Sequence, residues 1–232
     1  MIEISEIFGP TIQGEGALIG MPTVFVRTGG CDFRCSWCDT LHAVERKNRH
    51  LWHPMSAEAI FSRIEALTEH TPMLVTLSGG NPATQDLSTL IALGKERGYQ
   101  FAMETQGSVS APWFSALDYL TLSPKPPSSK MRFDALRFDG VILSAQQGPE
   151  ISMKIVIADD QDFEWAGQMR EHYPQLPLYL QACNLDVEGE PEQDKLAEQM
   201  RQLVDKVIAK KWFNVRVLPQ LHVYLWGNAT GV

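Results

Sequence analysis

Three of the four cysteines lie within eight residues in the spacing CxxxCxxC, at Cys31, Cys35 and Cys38. This crowding indicates metal ligation, because disulfide frameworks belong to short secreted chains with an even set of cysteines. Thiolates are soft ligands for iron or zinc. Three ligands would leave one iron of a four-iron four-sulfur cluster open, whereas structural zinc would need a fourth ligand such as His42. The distant Cys183 is expected to be a small buried side chain.

Composition excludes several other classes of protein. The 232 residues, 44% of them hydrophobic, suffice for one domain with its own core, expected to span residues 1–232. A net charge of −8 argues against direct nucleic-acid binding, and the basic cluster at residues 46–50 is typical of a solvated loop. No apolar run reaches the ~18 residues of a membrane span, and the first residues lack the order of a signal peptide. We therefore expect a cytoplasmic protein that does not bind membranes.

Strand-like and helix-like segments alternate along the chain. Strands are predicted at 23–27, 73–77, 101–104, 119–122, 152–157 and 178–181, and helices at 56–67, 87–93, 160–172 and 193–209. This alternation predicts an α/β fold with mainly parallel strands. The chain is shorter than the ~250 residues of a full eightfold barrel, so we expect an incomplete TIM-like barrel of about six βα units. Its active site should lie at the carboxyl ends of the strands.

The cysteine segment, residues 31–38, resembles the signature of the radical S-adenosylmethionine (SAM) superfamily, with Trp37 at the aromatic position. The resemblance implies that the cysteines bind a 4Fe-4S cluster whose open iron is chelated by SAM. The loop at residues 78–82 follows a predicted strand, and its superfamily equivalent binds the amino group of SAM. Gly80 fits that role. Asn81 stands where an acidic residue is usual, and it lacks the charge, which shifts amino-group recognition toward backbone carbonyls.

The N-terminal segment, residues 6–16, is on composition alone a glycine-rich turn. It nevertheless resembles the start of the 7-carboxy-7-deazaguanine synthases. Further segments similar to that family are residues 25–28, 38–40, 104–107, 123–128, 180–181 with Asn184, 217–222 and 225–227. The resemblance implies conversion of 6-carboxy-5,6,7,8-tetrahydropterin to 7-carboxy-7-deazaguanine with release of ammonia, in queuosine and 7-deazapurine biosynthesis. It also implies a homodimer and a flavodoxin- or ferredoxin-type electron donor.

The same resemblance implies the residues of the site. Substrate contacts are expected from Ile12, Gln13, Gly14, Glu15, Arg27, Ser78, His222 and Val232. SAM contacts are expected from Trp37, Asp39, Gly80, Asn81, Ser123, Pro124, Lys125, Gln181 and Asn184. Thr40 is the expected Mg²⁺ ligand, and Mg²⁺ takes few protein ligands. Arg27 offers a planar fork that matches a carboxylate, and Gln13 and Glu15 can pair with the donor-rich edge of a pterin.

Two alternative functions remain open at this point. One is a radical activase that acts on a protein, which would leave a radical on the protein partner and would not need Gln13, Glu15 and Arg27 as a small-molecule pocket. The other is a zinc-stabilised interaction module without catalysis, which would contain one zinc ion per chain and no sulfide.

Overall fold

The computed structural model describes residues 1–185 and 189–232, which build one nine-stranded sheet with seven α-helices around it. The strands are β1 Ile2–Ile12, β2 Pro22–Thr28, β3 His53–Met55, β4 Leu74–Gly79, β5 Gln100–Thr105, β6 Tyr119–Leu122, β7 Glu150–Ile157, β8 Leu178–Ala182 and β9 Val215–Leu218. The helices are α1 Leu41–Val44, α2 Ala57–Leu67, α3 Ser88–Lys95, α4 Ala135–Ala145, α5 Asp160–His172, α6 Gln193–Ala209 and α7 Leu221–Trp226.

The sheet has the strand order β3-β1-β2-β4-β5-β6-β7-β8-β9. β1 pairs antiparallel with β2 and β3, and β2 is parallel to β4, as are all later neighbours to one another. β3 and β9 lie at opposite edges, so the sheet does not close. Six crossovers join the parallel strands. The expectation of an incomplete α/β barrel of about six βα units is therefore confirmed.

Several predicted elements form for the reasons read from the sequence. Ser56 caps α2 by accepting a hydrogen bond from the backbone N–H of Ala59 at 3.2 Å, and Ile60 and Ile64 are buried on one face of the helix. The predicted helices at 160–172 and 193–209 agree with α5 and α6.

Other elements differ from the prediction. The segment read as a glycine-rich turn continues β1 to Ile12, because Gly9 takes a φ of +123° and register shifts let the strand keep pairing with β2. α4 and β9 were not predicted. The β5–β6 crossover contains a 3₁₀ turn, Pro112–Ala116, in the place of an α-helix.

The core lies between the sheet and the helices, where Phe61, Phe101, Phe114 and Phe138 are almost wholly buried. Burying aromatic side chains of this size is a major source of stability. Within the part of the chain that the structure describes, no helix has the length and apolar character needed to cross a membrane.

Candidate active site

A cavity of about 250 Å³ lies against one face of the sheet. Alternate residues of neighbouring strands line it, because successive side chains of a strand point to opposite faces. These are Glu6 and Phe8 of β1, Phe25 and Arg27 of β2, Thr76 and Ser78 of β4, and Glu104 of β5. Loops that follow the strands and the C-terminal segment complete the wall, so the cavity lies where the fold class predicts it.

The loop after β2 carries the three cysteines, and all three line the cavity. The loop after β4 holds it in place, since the backbone N–H of Asn81 donates to the Gly30 carbonyl at 2.8 Å. A side chain at position 80 could not fit there, because a Cβ would lie 2.1 Å from the Gly30 oxygen. On another side of the loop, the Ser36 N–H donates to the Ser129 carbonyl at 3.0 Å.

A polar network anchored on Asp32 also braces the cysteine loop. The amide nitrogens of Asn81 and Gln106 donate to one Asp32 carboxylate oxygen at 2.8 and 2.6 Å, respectively. The Asn81 amide oxygen accepts from the Thr105 hydroxyl at 2.8 Å. Gln106 also places its amide nitrogen 3.7 Å from the Cys31 sulfur. The fully buried Asn81 side chain therefore ties the loop to β5, and its contact with SAM stays a prediction.

The cysteine side chains fit an iron–sulfur cluster better than a single ion. All three cysteines line the same cavity. Burial raises the pKa of Cys35 to about 11; Lys125 acts to lower this pKa, and the nearby Cys38 and Cys31 raise it. Within residues 1–185 and 189–232, no three His, Cys, Asp or Glu side chains lie close enough to hold one metal ion. In an iron–sulfur cluster each thiolate binds a different iron atom, so the three sulfurs need not lie as close together as the ligands of one metal ion.

A buried ion triad lies beside the cavity. The Lys154 ammonium, on β7, contacts Glu15 and lies 2.7 Å from the Glu104 carboxylate, and its side chain is only 2% exposed. Burial alone would lower the pKa of Lys154, but the two carboxylates outweigh it and raise the pKa above its ordinary value. Burial likewise acts to raise the pKa of Glu15, but the charges of Lys154 and His222 lower it. Glu15 is thus held ionised and can only accept hydrogen bonds.

Arg27 is already paired within the site. Its Nε–H donates to Glu6 at 2.5 Å, and Glu6 also lies 3.5 Å from the His42 ring. Burial acts to raise the pKa of Glu6, yet the contacts with His42 and Arg27 lower it overall. The His42 ring nitrogen thus faces Glu6, and among the described residues His42 belongs to no group of three side chains that could hold one metal ion, so it is not placed as a fourth zinc ligand.

The N-terminal loop and α7 meet at the cavity. Gly14 is needed there, because a Cβ would lie 2.3 Å from the His222 ring, and the Leu221 N–H donates to the Gly14 carbonyl at 3.0 Å. The Gln220 amide donates to Glu15 at 2.9 Å. These contacts bring together residues that were predicted to bind the substrate from opposite ends of the chain.

The structure brings most of the predicted residues to this one cavity. Its wall includes Ile12, Gln13, Gly14, Glu15, Arg27, Cys31, Cys35, Trp37, Cys38, Asp39, Thr40, Ser78, Gly80, Lys125, Asn184, His222 and Val232. Asn81, Ser123, Pro124 and Gln181 are instead buried behind the lining. Gln181 is 1% exposed, and neither atom of its amide has a hydrogen-bond partner in the described part of the chain. Such an orphaned amide is unusual and fits a ligand-binding group. Cys183 is buried, as expected.

Sequence reasoning missed several functional candidates. Lys154 gave no local signal, because its partner Glu15 lies 139 residues away. Glu104 lay at the end of a predicted strand but was given no role, and Gln106 lay in a segment that was noted only for its family resemblance. Glu6 and Gln220 lay in two other such segments. Glu6 had no usable local signal, because it shares a face with Phe8 only once residues 2–12 are known to form a strand.

Comparison with known proteins gives a consistent result. A family model described as a 4Fe-4S single cluster domain matches residues 12–109. Along its full length the chain is similar to the 7-carboxy-7-deazaguanine synthase of Bacillus subtilis, with 45% identity over 239 aligned residues that cover 100% of this chain and 98% of the relative.

Two solved structures share the fold. The crystal structure of QueE from Escherichia coli superimposes with a TM-score of 0.68 at 23% identity and covers 95% of this chain and 94% of its own. The structure of anSMEcpe with bound AdoMet and a Cp18Cys peptide has a TM-score of 0.55 at 14% identity, covering 87% of this chain and 64% of its own.

Proposed function

The chain belongs to the 7-carboxy-7-deazaguanine synthase family, and from that premise we propose that it converts 6-carboxy-5,6,7,8-tetrahydropterin to 7-carboxy-7-deazaguanine with release of ammonia. It is a radical SAM lyase of queuosine and 7-deazapurine biosynthesis. The observation that carries the proposal is the single cavity that joins the three-cysteine loop to Gln13, Glu15 and Arg27. A radical activase of proteins would not need that small-molecule wall.

Cys31, Cys35 and Cys38 would hold the 4Fe-4S cluster, and SAM would bind beside it. When bound and reduced, the cluster supplies the electron that cleaves SAM to methionine and a 5′-deoxyadenosyl radical. The residues proposed to position SAM are Trp37, Asp39, Gly80, Asn81, Ser123, Pro124, Lys125, Gln181 and Asn184. The orphaned amide of Gln181 supports this part of the proposal, as does Lys125, which lies 5.9 Å from the Trp37 ring.

The substrate would bind between the N-terminal loop and β2. The ionised Glu15 and the amide of Gln13 would accept hydrogen bonds from the pyrimidine edge of the pterin. Because the Nε–H of Arg27 already donates a hydrogen bond to Glu6, the substrate carboxylate would be bound by the terminal nitrogens of Arg27. The remaining proposed contacts come from Ile12, Gly14, Ser78, His222 and Val232. Enclosure by these groups would shield a radical intermediate from water.

Thr40 would be the protein ligand of a Mg²⁺ ion. Its hydroxyl lines the cavity and lies 3.7 Å from the Cys38 sulfur. Mg²⁺ keeps several waters and takes few protein oxygens, so one hydroxyl together with the substrate carboxylate would be a typical partial shell. The ion would help to hold the substrate and to stabilise charge during the rearrangement.

The proposal extends to the setting of the enzyme. Residues 1–232 would act as one radical SAM domain, the chain would form a homodimer, and a flavodoxin- or ferredoxin-type protein would supply the electron. Three unpaired thiols in one loop suit the reducing cytoplasm. No direct contact with nucleic acid or with a membrane is proposed.

Anaerobic reconstitution tests the proposed function. The protein is loaded with iron and sulfide and supplied with SAM, Mg²⁺, dithionite and 6-carboxy-5,6,7,8-tetrahydropterin. We expect 7-carboxy-7-deazaguanine by mass spectrometry and 5′-deoxyadenosine from SAM, and neither product from Cys35→Ser. Zinc without sulfide in the purified protein, or a radical transferred to a protein partner, would contradict the proposal.

A further inference from the structure

Four exposed cations form a patch beside the cysteine loop. We define this basic patch as Arg34, Lys130, Arg132 and Arg137. Arg34 lies between Cys31 and Cys35, and the others come from the segment that joins β6 to α4 and from α4 itself. The patch is notable because the whole chain carries a net charge of −8.

Direct contacts join this segment to the cysteine loop. The Arg34 N–H donates to the Met131 sulfur at 3.1 Å, and the Ser36 hydroxyl donates to the Ser128 carbonyl at 2.7 Å. The Trp37 indole N–H donates to the Ser128 hydroxyl at 2.9 Å. The basic patch is therefore fixed to the loop that would carry the cluster.

A second cavity of about 280 Å³ opens at the basic patch. Its wall includes Arg132, Arg137, Phe33 and Gln106. Gln106 also lines the first cavity, where its amide nitrogen lies 3.7 Å from the Cys31 sulfur. Gln106 thus extends from the second cavity to a proposed cluster ligand, and Phe33 and Lys125 also line both cavities, so this face offers a short route for an electron.

The cations of the patch are mostly uncompensated. In the described ranges, no carboxylate forms an ion pair with Arg34, Lys130 or Arg132, and Arg137 alone has Asp134, at 3.6 Å. Of the other acids in these segments, the exposed Asp32 already accepts from two amides, and Asp139 of α4 accepts from the Tyr173 hydroxyl. Leu136, 85% exposed at the start of α4, adds an apolar contact point to this charged surface. A small apolar contact on a surface with an excess of positive charge suits a transient partner of opposite charge.

We propose that the basic patch docks an acidic protein that carries one electron, and that this protein reduces the cluster through the face lined by Phe33 and Gln106. The inference rests on the proposed function, which requires a reductant. In the step, one electron leaves the reduced carrier, which is oxidised by one electron, and the cluster is reduced by one electron. No group is transferred. Complementary charge would accelerate the encounter and would be screened by salt.

Charge reversal tests the docking face. The variant carries Lys130→Glu, Arg132→Glu and Arg137→Glu, and the control carries Arg63→Glu and Lys211→Glu, two exposed cations outside the patch. Both are loaded with the iron–sulfur cluster. The rate of 5′-deoxyadenosine formation is measured against the concentration of flavodoxin hydroquinone at low and high salt, and separately with dithionite. Dithionite is small and needs no docking face.

We expect the apparent KM for flavodoxin to rise about tenfold or more in the triple variant at low salt, with a smaller dependence on salt, while the dithionite rate is unchanged. An unchanged KM relative to the control, or an equal loss with dithionite, would overturn the proposal. Binding of labelled flavodoxin is also measured by fluorescence anisotropy without substrate. That readout needs no turnover, so failure of docking and failure of the proposed function give different results.

Discussion

Removal of the Lys154 ammonium is the sharpest test of how the site is held together. Lys154→Met keeps the length of the side chain and deletes its charge, which leaves Glu15 and Glu104 without their shared partner. The Lys154 side chain is 2% exposed and that of Glu15 is 16% exposed, so the pair is buried. Breaking a buried pair by deleting one partner costs about 3–5 kcal/mol, because an uncompensated charge remains. We expect that loss in the free energy of unfolding at pH 7.5.

The pH dependence of the loss follows from the directions of the pKa shifts. In the native protein the pKa of Glu15 is lowered, so its contribution to stability is fully present above the unfolded pKa and is lost progressively as the pH falls below that value. The pKa of Lys154 is raised, so its contribution is lost only in strong alkali. Without Lys154, burial raises the pKa of a carboxyl group instead. The variant should therefore regain stability as the pH falls from 7.5 to 5.5, while the native protein should not.

Urea unfolding followed by tryptophan fluorescence measures both effects, with all proteins in the same loading state. A loss of 3 kcal/mol would lower the urea midpoint by about 1–1.5 M at an m-value of about 2–3 kcal/mol/M. The matched double variant Lys154→Met/Glu104→Gln removes the excess negative charge and should recover part of the loss. A cost below about 1 kcal/mol with no change between the two pH values would refute the reasoning.

Three further predictions concern the cysteine loop, the metal and the C-terminal wall. Asn81→Asp should lower the iron content after reconstitution, because the new carboxylate would face that of Asp32. Adding Asp32→Asn should restore the iron content, and equal iron content in the single and the double variant would contradict the network. Thr40→Ala should slow turnover and weaken its dependence on Mg²⁺ concentration, and an unaltered Mg²⁺ titration would remove Thr40 from the site. Deleting residues 230–232, which line the cavity, should raise the substrate KM measured in steady state, whereas an unchanged KM would show that they do not contact the substrate.

The parallel part of the fold could be predicted from the sequence because its signals are local. Apolar strands followed by amphipathic helices gave α2, α5 and α6, and the Ser56 cap fixed the start of α2. β1 could not be predicted, since its glycine and proline resemble a turn and only pairing with β2 makes it a strand. α4 was missed because its exposed Leu136 and Leu143 blur the amphipathic pattern.

Site residues, too, could be predicted only where their signal is local in the sequence. The cysteine spacing is local and by itself indicates a metal cluster. Lys154 could not be recognised, because an isolated lysine in a strand is typical of a solvent-exposed position and its burial depends on Glu15 and Glu104. The burial of Asn81 and the bonds of all its amide atoms likewise depend on Asp32 and Thr105, which belong to other loops and strands.

The contacts of Glu15 also bear on how the chain folds during synthesis. Glu15 is separated by 139 residues from Lys154 and by 205 residues from Gln220. At a synthesis rate of about 5–20 residues per second, Lys154 leaves the ribosome about 7–28 s after Glu15. Contacts of such long sequence separation are costly to form early. The contacts of Glu15 with Lys154 and Gln220 should therefore form late in folding. Substitutions at these residues should change the rate of unfolding more than the rate of folding.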